Sequence, residues 1–244
     1  MGNSVSYLSE KRQFEAYYLE IREKEGRVLT DEQVRLLPEF FGPPHLVAEW
    51  ELRKKSFSRF LEYIRSVSPR PQNGLDIGCG NGWFTYGYSK FFKQELIGLD
   101  VNEEELTQAA RLFGREGLRF CYGDLFEDIF PDRYFDLITL NASIQYFPDL
   151  NALMDRLFGL LTKNGEIHIL DSPFYEPADI EGAKERTLKY YSDQGVPQMA
   201  NHYYHHSLKE LRQFSPEIKY KPSRMKRFLR GKDSPFAWYL IRNK

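Results

Sequence analysis

The chain has 244 residues and a formal net charge of −1, and 28% of its residues are charged. This length favours one α/β domain with additions over two independent domains. The charge content is typical of soluble globular proteins and excludes the disordered and membrane-spanning classes, while the balanced charge identifies no partner.

The cysteines and the N-terminus narrow the cellular setting. Cys79 and Cys121 provide neither a disulfide framework nor the spacing of a metal site, so we expect no bound metal. No apolar run reaches the length of a membrane span, and the N-terminus lacks the layout of a secretory signal. We therefore expect a cytoplasmic protein without a membrane partner. The sequence carries no prediction of its oligomeric state.

The first 70 residues are predicted to be mainly helical. Apolar residues in 7–24 and again in 45–68 recur at the spacing of amphipathic helices, and prolines interrupt the region between them. Further prolines end the second pattern after residue 68. We interpret residues 1–70 as a helical cap segment and residues 71–244 as the main domain.

From residue 74 onward, strand and helix patterns alternate. The predicted strands are 74–77, 95–99, 118–122, 134–140 and 166–170, and the predicted helices are 83–92, 103–113 and 150–161. This alternation predicts a parallel sheet with helices on both faces. Ligands of such sheets bind beyond the carboxyl ends of the strands.

The C-terminal part first interrupts this alternation and then restores it. Residues 172–206 contain a predicted helix at 179–193 and a tract rich in histidine and tyrosine at 201–206, which we interpret as a second cap insertion. A capped helix, a strand and a closing strand are then predicted at 207–214, 217–220 and 235–242.

Three glycines follow the first predicted strand of the sheet, at Gly78, Gly80 and Gly82. Glycine has no Cβ, so this turn can adopt positive φ and a ligand can lie directly against the main chain. A dinucleotide site needs its third glycine at position 83, where this chain has Trp83. The bulky indole argues against a nicotinamide or flavin dinucleotide.

Polar residues end the next three strands. Asp100 ends the second strand, and its two carboxylate oxygens could accept both hydroxyls of a ribose. Asp124 follows the third strand, where it could accept from an exocyclic amine such as that of adenine, and Asn141 ends the fourth strand beside the glycine turn. Each carboxylate taken alone could equally cap a helix or accept loop amides.

In this order, the glycine turn, Asp100, Asp124 and Asn141 resemble the class I S-adenosylmethionine-dependent methyltransferases, in particular the type 11/25-like family that acts on small molecules. The resemblance covers about residues 72–172. It implies a Rossmann-like seven-stranded sheet with the last strand antiparallel, helices on both faces and an added helical cap. It also implies S-adenosyl-L-methionine as the methyl donor and S-adenosyl-L-homocysteine as a product.

The resemblance assigns roles along the cofactor. The glycine turn lies against the methionyl and ribose parts, Asp100 binds the ribose, and Asp124 binds the adenine amine. The expected cofactor-binding residues are Asp76, Gly78, Cys79, Gly80, Gly82, Asp100, Val101, Asp124, Leu125 and Asn141. We interpret Cys79 as a small side chain in a tight turn rather than as a nucleophile.

The acceptor side is less defined. Methyl transfer in this family is an in-line displacement, in which alignment does much of the work and a general base is needed only if the nucleophile must lose a proton. The segment after the fourth strand lacks the Asp/Asn-Pro-Pro-Tyr element of enzymes that methylate amines of nucleic-acid bases or glutamine. The aromatic content of the two cap regions suits a small apolar or aromatic acceptor.

The catalytic residue cannot be assigned from the sequence. The weak candidates for a catalytic role are His202, His205, Tyr146 and Asp171. The two histidines could equally belong to a polar aromatic loop packed on the cap. His168 alternates into a strand interior, and we interpret it as a structural histidine.

Two alternatives remain open. Residues 218–232 carry seven lysines and arginines, no acid and two interleaved aromatic residues, a composition that can follow a nucleic-acid backbone. An RNA methyltransferase is therefore the first alternative, although the chain as a whole is not basic. The second alternative is a methyltransferase-like subunit that binds the cofactor without turning it over.

Overall fold

One mixed β-sheet organises the structure, a computed structural model that describes residues 4–9, 14–222 and 233–243. Within these residues the strands are β1 (Ser6–Tyr7), β2 (Asn73–Ile77), β3 (Glu95–Asp100), β4 (Leu118–Tyr122), β5 (Phe135–Asn141), β6 (Leu161–Leu170), β7 (Glu217–Tyr220) and β8 (Trp238–Arg242). Their order across the sheet is β1-β4-β3-β2-β5-β6-β8-β7. Strands β1 to β6 are parallel, and β8 is antiparallel to both of its neighbours.

The helices of the described residues lie between and around these strands. They are α1 (Phe14–Lys24), α2 (Asp31–Leu36), α3 (Pro44–Ser66), α4 (Trp83–Tyr88), α5 (Glu103–Phe113), α6 (Leu150–Leu160), α7 (Ile180–Asp193) and α8 (Leu208–Arg212). Short 3₁₀ helices occur at Ser89–Phe91, Ile144–Tyr146, Pro177–Asp179 and Pro197–His202. None of the helices in the described ranges is long and apolar enough to cross a bilayer.

Each face of the sheet has its own hydrophobic core, because successive side chains of a strand point to opposite faces. Leu137 of β5 packs in the core that contains residues of α3, α4 and α5, whereas its neighbour Ile138 packs in the core with α6. Ligands therefore cannot enter either face, and the open ends of the strands are the accessible part of the sheet.

The predicted fold class is confirmed, including the antiparallel orientation of the closing strand. The expected strand number was seven, whereas eight strands pair within the described ranges. The additional strand is β1: the Leu8 amide donates to the Tyr122 carbonyl oxygen at 2.8 Å, which covers the edge that β4 would otherwise expose. Residues 7–9 are therefore not helical as predicted, since Tyr7 belongs to β1, and α1 begins at Phe14.

Most predicted elements begin and end within two residues of their observed bounds, and a few boundaries differ by more. The predicted helix 83–92 is an α-helix only to Tyr88 and continues as a 3₁₀ turn, and the predicted strand 166–170 begins earlier, at Leu161. The closing strand begins at Trp238 rather than at residue 235. These differences do not affect the carboxyl ends of the parallel strands, which lie on the same side of the sheet as the glycine turn.

Candidate active site

A cavity of about 690 Å³ opens at the carboxyl ends of the central strands. Ile77 of β2, Asp100 of β3, Asn141 of β5 and the residue after β6, Asp171, all line it. Its volume lies within the range of roughly 300–1,000 Å³ that is typical of small-molecule sites. The cavity therefore occupies the position that the strand pattern predicts.

The glycine turn forms the floor of this cavity through two of its three glycines. Gly78 and Gly80 line the cavity with φ values of 72° and 52°. A Cβ on Gly78 would lie 2.4 Å from the Ser143 Cβ, so only glycine fits where the turn passes the end of β5. The close approach leaves main-chain atoms facing the cavity.

Gly82 has a different role from the one predicted. It does not line the cavity, and a Cβ there would lie 2.6 Å from the Phe120 ring and 2.8 Å from the Ala109 Cβ. With φ of 77° it precedes α4, so this glycine allows close packing of the start of that helix. In this structure Gly82 thus packs against Phe120 and Ala109, apart from the cavity that the other predicted cofactor residues line.

Asp76 lies beneath the turn in a buried hydrogen-bond network. The hydroxyls of Thr85 and Thr139 donate to its two carboxylate oxygens at 2.5 and 2.6 Å, and the Tyr88 hydroxyl lies 2.7 Å from the Thr139 hydroxyl. Burial raises the pKa of Asp76 to about 6, against the effect of the two threonines. The network couples β2 to β5 and α4 directly under the cavity.

The Asp100 carboxylate accepts three main-chain amides. Oδ2 accepts from Gly80 at 2.7 Å, and Oδ1 accepts from Val101 at 2.7 Å and Asn102 at 2.9 Å. Burial raises the pKa of Asp100, and these amides act against that rise. Asp100 thus ties the glycine turn to the end of β3 while it lines the cavity together with Val101.

Asp124 and Leu125 line the cavity beyond the end of β4. The Asp124 amide donates to the Ser9 hydroxyl at 2.9 Å, and its Oδ1 accepts from the Phe126 amide at 3.0 Å. The carboxylate is therefore held by the loop that carries it, next to the N-terminal residues of the described chain. Cys79 also lines the cavity, with a thiol whose pKa is raised by burial, which is consistent with an unreactive side chain.

Strained backbone occurs at the ends of two adjacent strands beside the cavity. Ala142, after β5, and Asp171, after β6, have φ values of 56° and 45°, although neither is a glycine. Such strain concentrates at ligand sites. Next to Ala142, the buried Asn141 Oδ1 has no hydrogen-bond partner in the described residues. An acceptor without a partner on a cavity wall can receive a donor from a ligand.

These features fit S-adenosylmethionine. Its ribose, adenine amine and α-amino group are hydrogen-bond donors, and the cavity offers Asp100, Asp124 and the unpaired Asn141 Oδ1 along one wall. The glycine turn leaves main-chain atoms free for close contact. The donor set of the cofactor and the acceptor set of the cavity therefore match.

The N-terminal wall contains an ion-pair network that sequence reasoning missed. Glu49 of α3 accepts from Arg27 at 2.5 and 2.7 Å and from Arg53 at 2.9 and 3.0 Å. Burial raises the pKa of Glu49, but the two arginines outweigh it and lower the pKa to about 2. Arg53 is therefore bound to its own helix neighbour, four residues away.

Arg22 and Glu105 also line the cavity and were not predicted. The guanidinium of Arg22 lies 3.8 Å from a Glu105 oxygen and 5.1 Å from the centre of the Tyr18 ring, and its Nε is buried without a hydrogen-bond partner among the described residues. Glu105 lies five residues after Asp100, in the first turn of the helix that follows β3. This short distance in the sequence is a signal by which Glu105 could have been predicted to lie near Asp100. Arg22 is far from every motif, so only the fold brings it to the site.

Three of the four candidate catalytic residues line the cavity. Tyr146 and His202 do so, and so does Asp171, whose Oδ1 accepts from the Ser56 and Ser234 hydroxyls at 2.7 and 2.9 Å. Burial raises the pKa of Tyr146 and of Asp171. His202 stacks on Tyr17 of α1, with ring centres 6.1 Å apart.

His205 is not brought to the site. It does not line the cavity, and its Nε2 lies 2.9 Å from the Thr187 hydroxyl of α7. Its ring lies against Tyr203 and Tyr175, and burial lowers its pKa. The structure therefore places His205 in packing contacts outside the cavity, apart from the other three candidates. His168 is fully buried on β6, where the Trp238 indole donates to it at 3.2 Å.

An aromatic group lines part of the cavity. We call this part of the cavity the aromatic end and define it by Tyr18, Tyr146, Tyr191 and Tyr203. The Tyr146 ring meets Tyr18 and Tyr203 edge to face at 5.7 and 6.1 Å, and Tyr191 lies 6.2 Å from Tyr203. These rings come from α1, from the segment after β5 and from the insertion after β6.

The sheet order, the glycine turn after its central strand and the acidic residues at the next two strand ends define the class: this is a class I S-adenosylmethionine-dependent methyltransferase fold. In agreement, residues 75–169 match the family model described as a methyltransferase domain. Residues 75–169 are thus a methyltransferase domain of this family, and S-adenosylmethionine is the cofactor of that family.

Individual relatives show how far the similarity extends. Trans-aconitate 2-methyltransferase of Methylobacterium radiotolerans is 37% identical over 100 residues, which cover 41% of this chain and 37% of that protein. The chain spans less than half the length of this and the other leading curated relatives. The sequence similarity to these relatives thus covers less than half of this chain.

Two solved structures share the fold. The YcgJ protein of Bacillus subtilis has a TM-score of 0.54 at 17% identity and covers 76% of this chain and 94% of its own. Phosphoethanolamine N-methyltransferase 2 of Haemonchus contortus, in complex with phosphomonomethylethanolamine and S-adenosylhomocysteine, has a TM-score of 0.59 at 17% identity and covers 85% of this chain and 46% of its own. At this identity the likeness concerns the fold.

Proposed function

We propose that this protein transfers the methyl group of S-adenosylmethionine to a small apolar or aromatic molecule held at the aromatic end. The observation that carries the proposal is that one cavity is lined both by acceptors that suit the cofactor and by the tyrosines of the aromatic end. Two of the similar proteins are named for different small molecules, trans-aconitate and phosphoethanolamine. They support the reaction class more than any particular acceptor.

When bound, the cofactor supplies an electrophilic methyl group on a positively charged sulfur. In the proposed arrangement Asp100 and Asp124 hold the ribose and the adenine amine, and Asn141 Oδ1 accepts from the α-amino group. Gly78, Cys79 and Gly80 lie beneath the methionyl chain, with Asp76 below them. Val101 and Leu125 contact the adenine. These contacts orient the methyl group toward the aromatic end.

The tyrosines exclude water and position the acceptor. Burial raises the pKa values of Tyr18 and Tyr146, and of Tyr191 and Tyr203 as well, so their hydroxyls stay neutral and can donate or accept hydrogen bonds at physiological pH. His202 and Asp171 line the cavity, and we propose that both contact the acceptor. If the acceptor must lose a proton, they are our candidates for the general base.

We further propose that residues 1–70 and the insertion at about 172–206 form a cap over the acceptor. Ile21 of α1 packs with Tyr191, Val196 and Met199 of the insertion in a small hydrophobic core of their own. Side chains of both regions line the cavity. A cap made of two distant segments would allow acceptor specificity to vary without changing the cofactor wall.

RNA remains the alternative acceptor. Of the basic residues in 218–232, Lys219 pairs with Glu217 at 2.8 Å and lies 4.7 Å from the centre of the Tyr63 ring. Arg224, Lys226, Arg227, Arg230 and Lys232 lie outside the described residues. The tyrosine-lined cavity favours a small molecule. A salt-dependent RNA gel shift that is lost when Arg227 and Arg230 are replaced would favour RNA instead.

A methylation screen tests the proposed function. The protein is incubated with a metabolite extract and S-adenosylmethionine carrying an isotopically labelled methyl group, and labelled products are identified by mass spectrometry. We expect label in a small apolar or aromatic product, and none with the Asp100→Ala variant. Label in RNA alone would contradict the small-molecule proposal, and cofactor binding without any labelled product would favour the non-catalytic subunit.

A further inference from the structure

The hydrogen bonds of Asp100 limit what it can offer a ribose. A carboxylate has about four lone-pair positions, two on each oxygen. The Val101 and Asn102 amides occupy both positions on Oδ1, and the Gly80 amide occupies one on Oδ2. One position therefore remains, on Oδ2, whereas a ribose presents two adjacent hydroxyls. A second acceptor is needed on the same wall.

Glu105 lies where that acceptor is needed. It lines the cavity from the first turn of α5, and its Oε2 is 3.1 Å from the position that a Cβ on Gly80 would occupy. The Gly80 amide in turn donates to Asp100 Oδ2. The two carboxylates thus flank the same glycine, whose missing side chain leaves the space between them free.

The neighbours of Glu105 orient its carboxylate and leave lone pairs of its oxygens available to a ligand. The Asn102 side-chain amide donates to Oε2 at 3.4 Å, and the Glu105 amide donates to Asn102 Oδ1 at 3.1 Å, so this asparagine both caps α5 and orients the carboxylate. Arg22 lies 3.8 Å from Oε1. Burial raises the pKa of Glu105, Arg22 opposes that rise, and the nearby Asp100 adds to it.

We propose that Asp100 and Glu105 divide the two ribose hydroxyls of the cofactor between them, with Glu105 Oε2 accepting one and Asp100 Oδ2 the other. The inference rests on the cofactor of the proposed function. It adds Glu105 as a ribose-binding residue besides Asp100, the acid at the end of β3. It also gives Arg22 of α1 a role in holding Glu105 in place. The N-terminal helix is thereby coupled to the cofactor through Glu105.

The test is isothermal titration of S-adenosylhomocysteine and of its 2′-deoxy and 3′-deoxy analogues into the full chain. The variants are Glu105→Gln, which keeps the shape of the side chain, and Glu105→Leu, which removes its polar atoms. Glu104→Gln is the matched control, because Glu104 is exposed on the same helix turn. Thermal unfolding of each variant checks that the fold is retained.

We expect wild-type protein to lose about tenfold in affinity for each missing hydroxyl, since a hydrogen bond to a charged group is broken. Glu105→Gln and Glu105→Leu should bind S-adenosylhomocysteine about tenfold more weakly and become insensitive to one of the two hydroxyls while they remain sensitive to the other. Glu104→Gln should match wild type in all three titrations.

Two outcomes would overturn the proposal in different ways. If both Glu105 variants bind all three ligands as wild type does, or keep sensitivity to both hydroxyls, Glu105 does not bind the ribose. If wild-type protein binds S-adenosylhomocysteine and both analogues equally, neither carboxylate holds the ribose. Absence of any binding to wild type would instead contradict the cofactor assignment on which the inference rests.

Discussion

The two ends of the cavity are built differently. The wall that suits the cofactor comes from strand ends, with Asp100, Asp124 and Asn141 each closing or following one of the parallel strands of the mixed sheet. The aromatic end brings together Tyr18, Tyr146 and Tyr203, which lie on three separate segments. The position of the cofactor wall is determined by the sheet and its short motifs. The position of the aromatic end is determined by how distant segments pack. A methyl donor can thus stay constant while the acceptor varies.

The glycine turn is the most sensitive point of the cofactor wall. Gly78→Ala should weaken S-adenosylmethionine binding by at least about a hundredfold, roughly 3 kcal/mol, because φ of 72° disfavours any side chain and the new Cβ would lie 2.4 Å from the Ser143 Cβ. Isothermal titration measures the loss.

The control for that variant is Gly159→Ala in α6. Among the described residues, the nearest neighbour of a Cβ there would be Asp132 Oδ1, 4.0 Å away, and alanine suits a helix interior better than glycine. Its affinity should equal that of wild type. Binding by Gly78→Ala within threefold of wild type would show that the cofactor does not lie against this turn.

Asp76 should make stability depend on pH. Its folded pKa of about 6 exceeds the ordinary value of 3.8, so the folded state holds a proton that the unfolded state has released between about pH 4 and pH 6. Stability should therefore fall as pH rises through this window, by up to roughly 3 kcal/mol from a difference of about two pH units.

Urea unfolding of wild type and Asp76→Asn across pH 4–7 isolates this effect. The difference in the free energy of unfolding between the two proteins should change across the window and then level off above about pH 6. A difference that stays constant over the whole range would mean that Asp76 is ionised throughout, as an exposed aspartate would be.

Asp100 tests the middle of the cofactor wall. Asp100→Ala should weaken S-adenosylmethionine binding at least tenfold, about 1.4 kcal/mol, because it removes a ribose acceptor and releases the Gly80 amide. Titration of Asp155→Ala, an exposed aspartate of α6, provides the comparison. Unchanged affinity in Asp100→Ala would remove this residue from the site.

Tyr203 should show the smallest effect, and only on the acceptor. With the acceptor found by the methylation screen, Tyr203→Leu should raise KM about threefold to tenfold and leave the affinity for S-adenosylmethionine unchanged, because an aromatic contact is worth about 1 kcal/mol. Leu188→Ala, an exposed position on α7, is the control. A loss of cofactor affinity in Tyr203→Leu would contradict the separation of the two ends.

The difference between the cofactor wall and the aromatic end also explains which parts of the site could be predicted from the sequence. The cofactor wall follows from local patterns, since strands end in polar residues and the carboxyl ends of parallel strands meet at one edge. All the predicted cofactor residues except Gly82 line the cavity. Spacing alone could not separate a glycine that faces the ligand from one that packs against the Phe120 ring.

The aromatic end could not be located in this way. Tyr18 and Tyr146 meet at 5.7 Å although they are far apart in sequence, and no periodicity links such positions. For the same reason Arg22 was missed, and His205 was proposed from its tract although it binds Thr187 instead. The extra strand β1 was hidden because two residues are too few to show an alternating pattern.

The most direct test of the account is isothermal titration of wild-type protein with S-adenosylmethionine and, in parallel, with NAD. We predict one S-adenosylmethionine site per chain and no detectable binding of NAD, because Trp83 stands where a dinucleotide site needs glycine. Failure to bind S-adenosylmethionine, or equal binding of NAD, would contradict the assignment of the cavity.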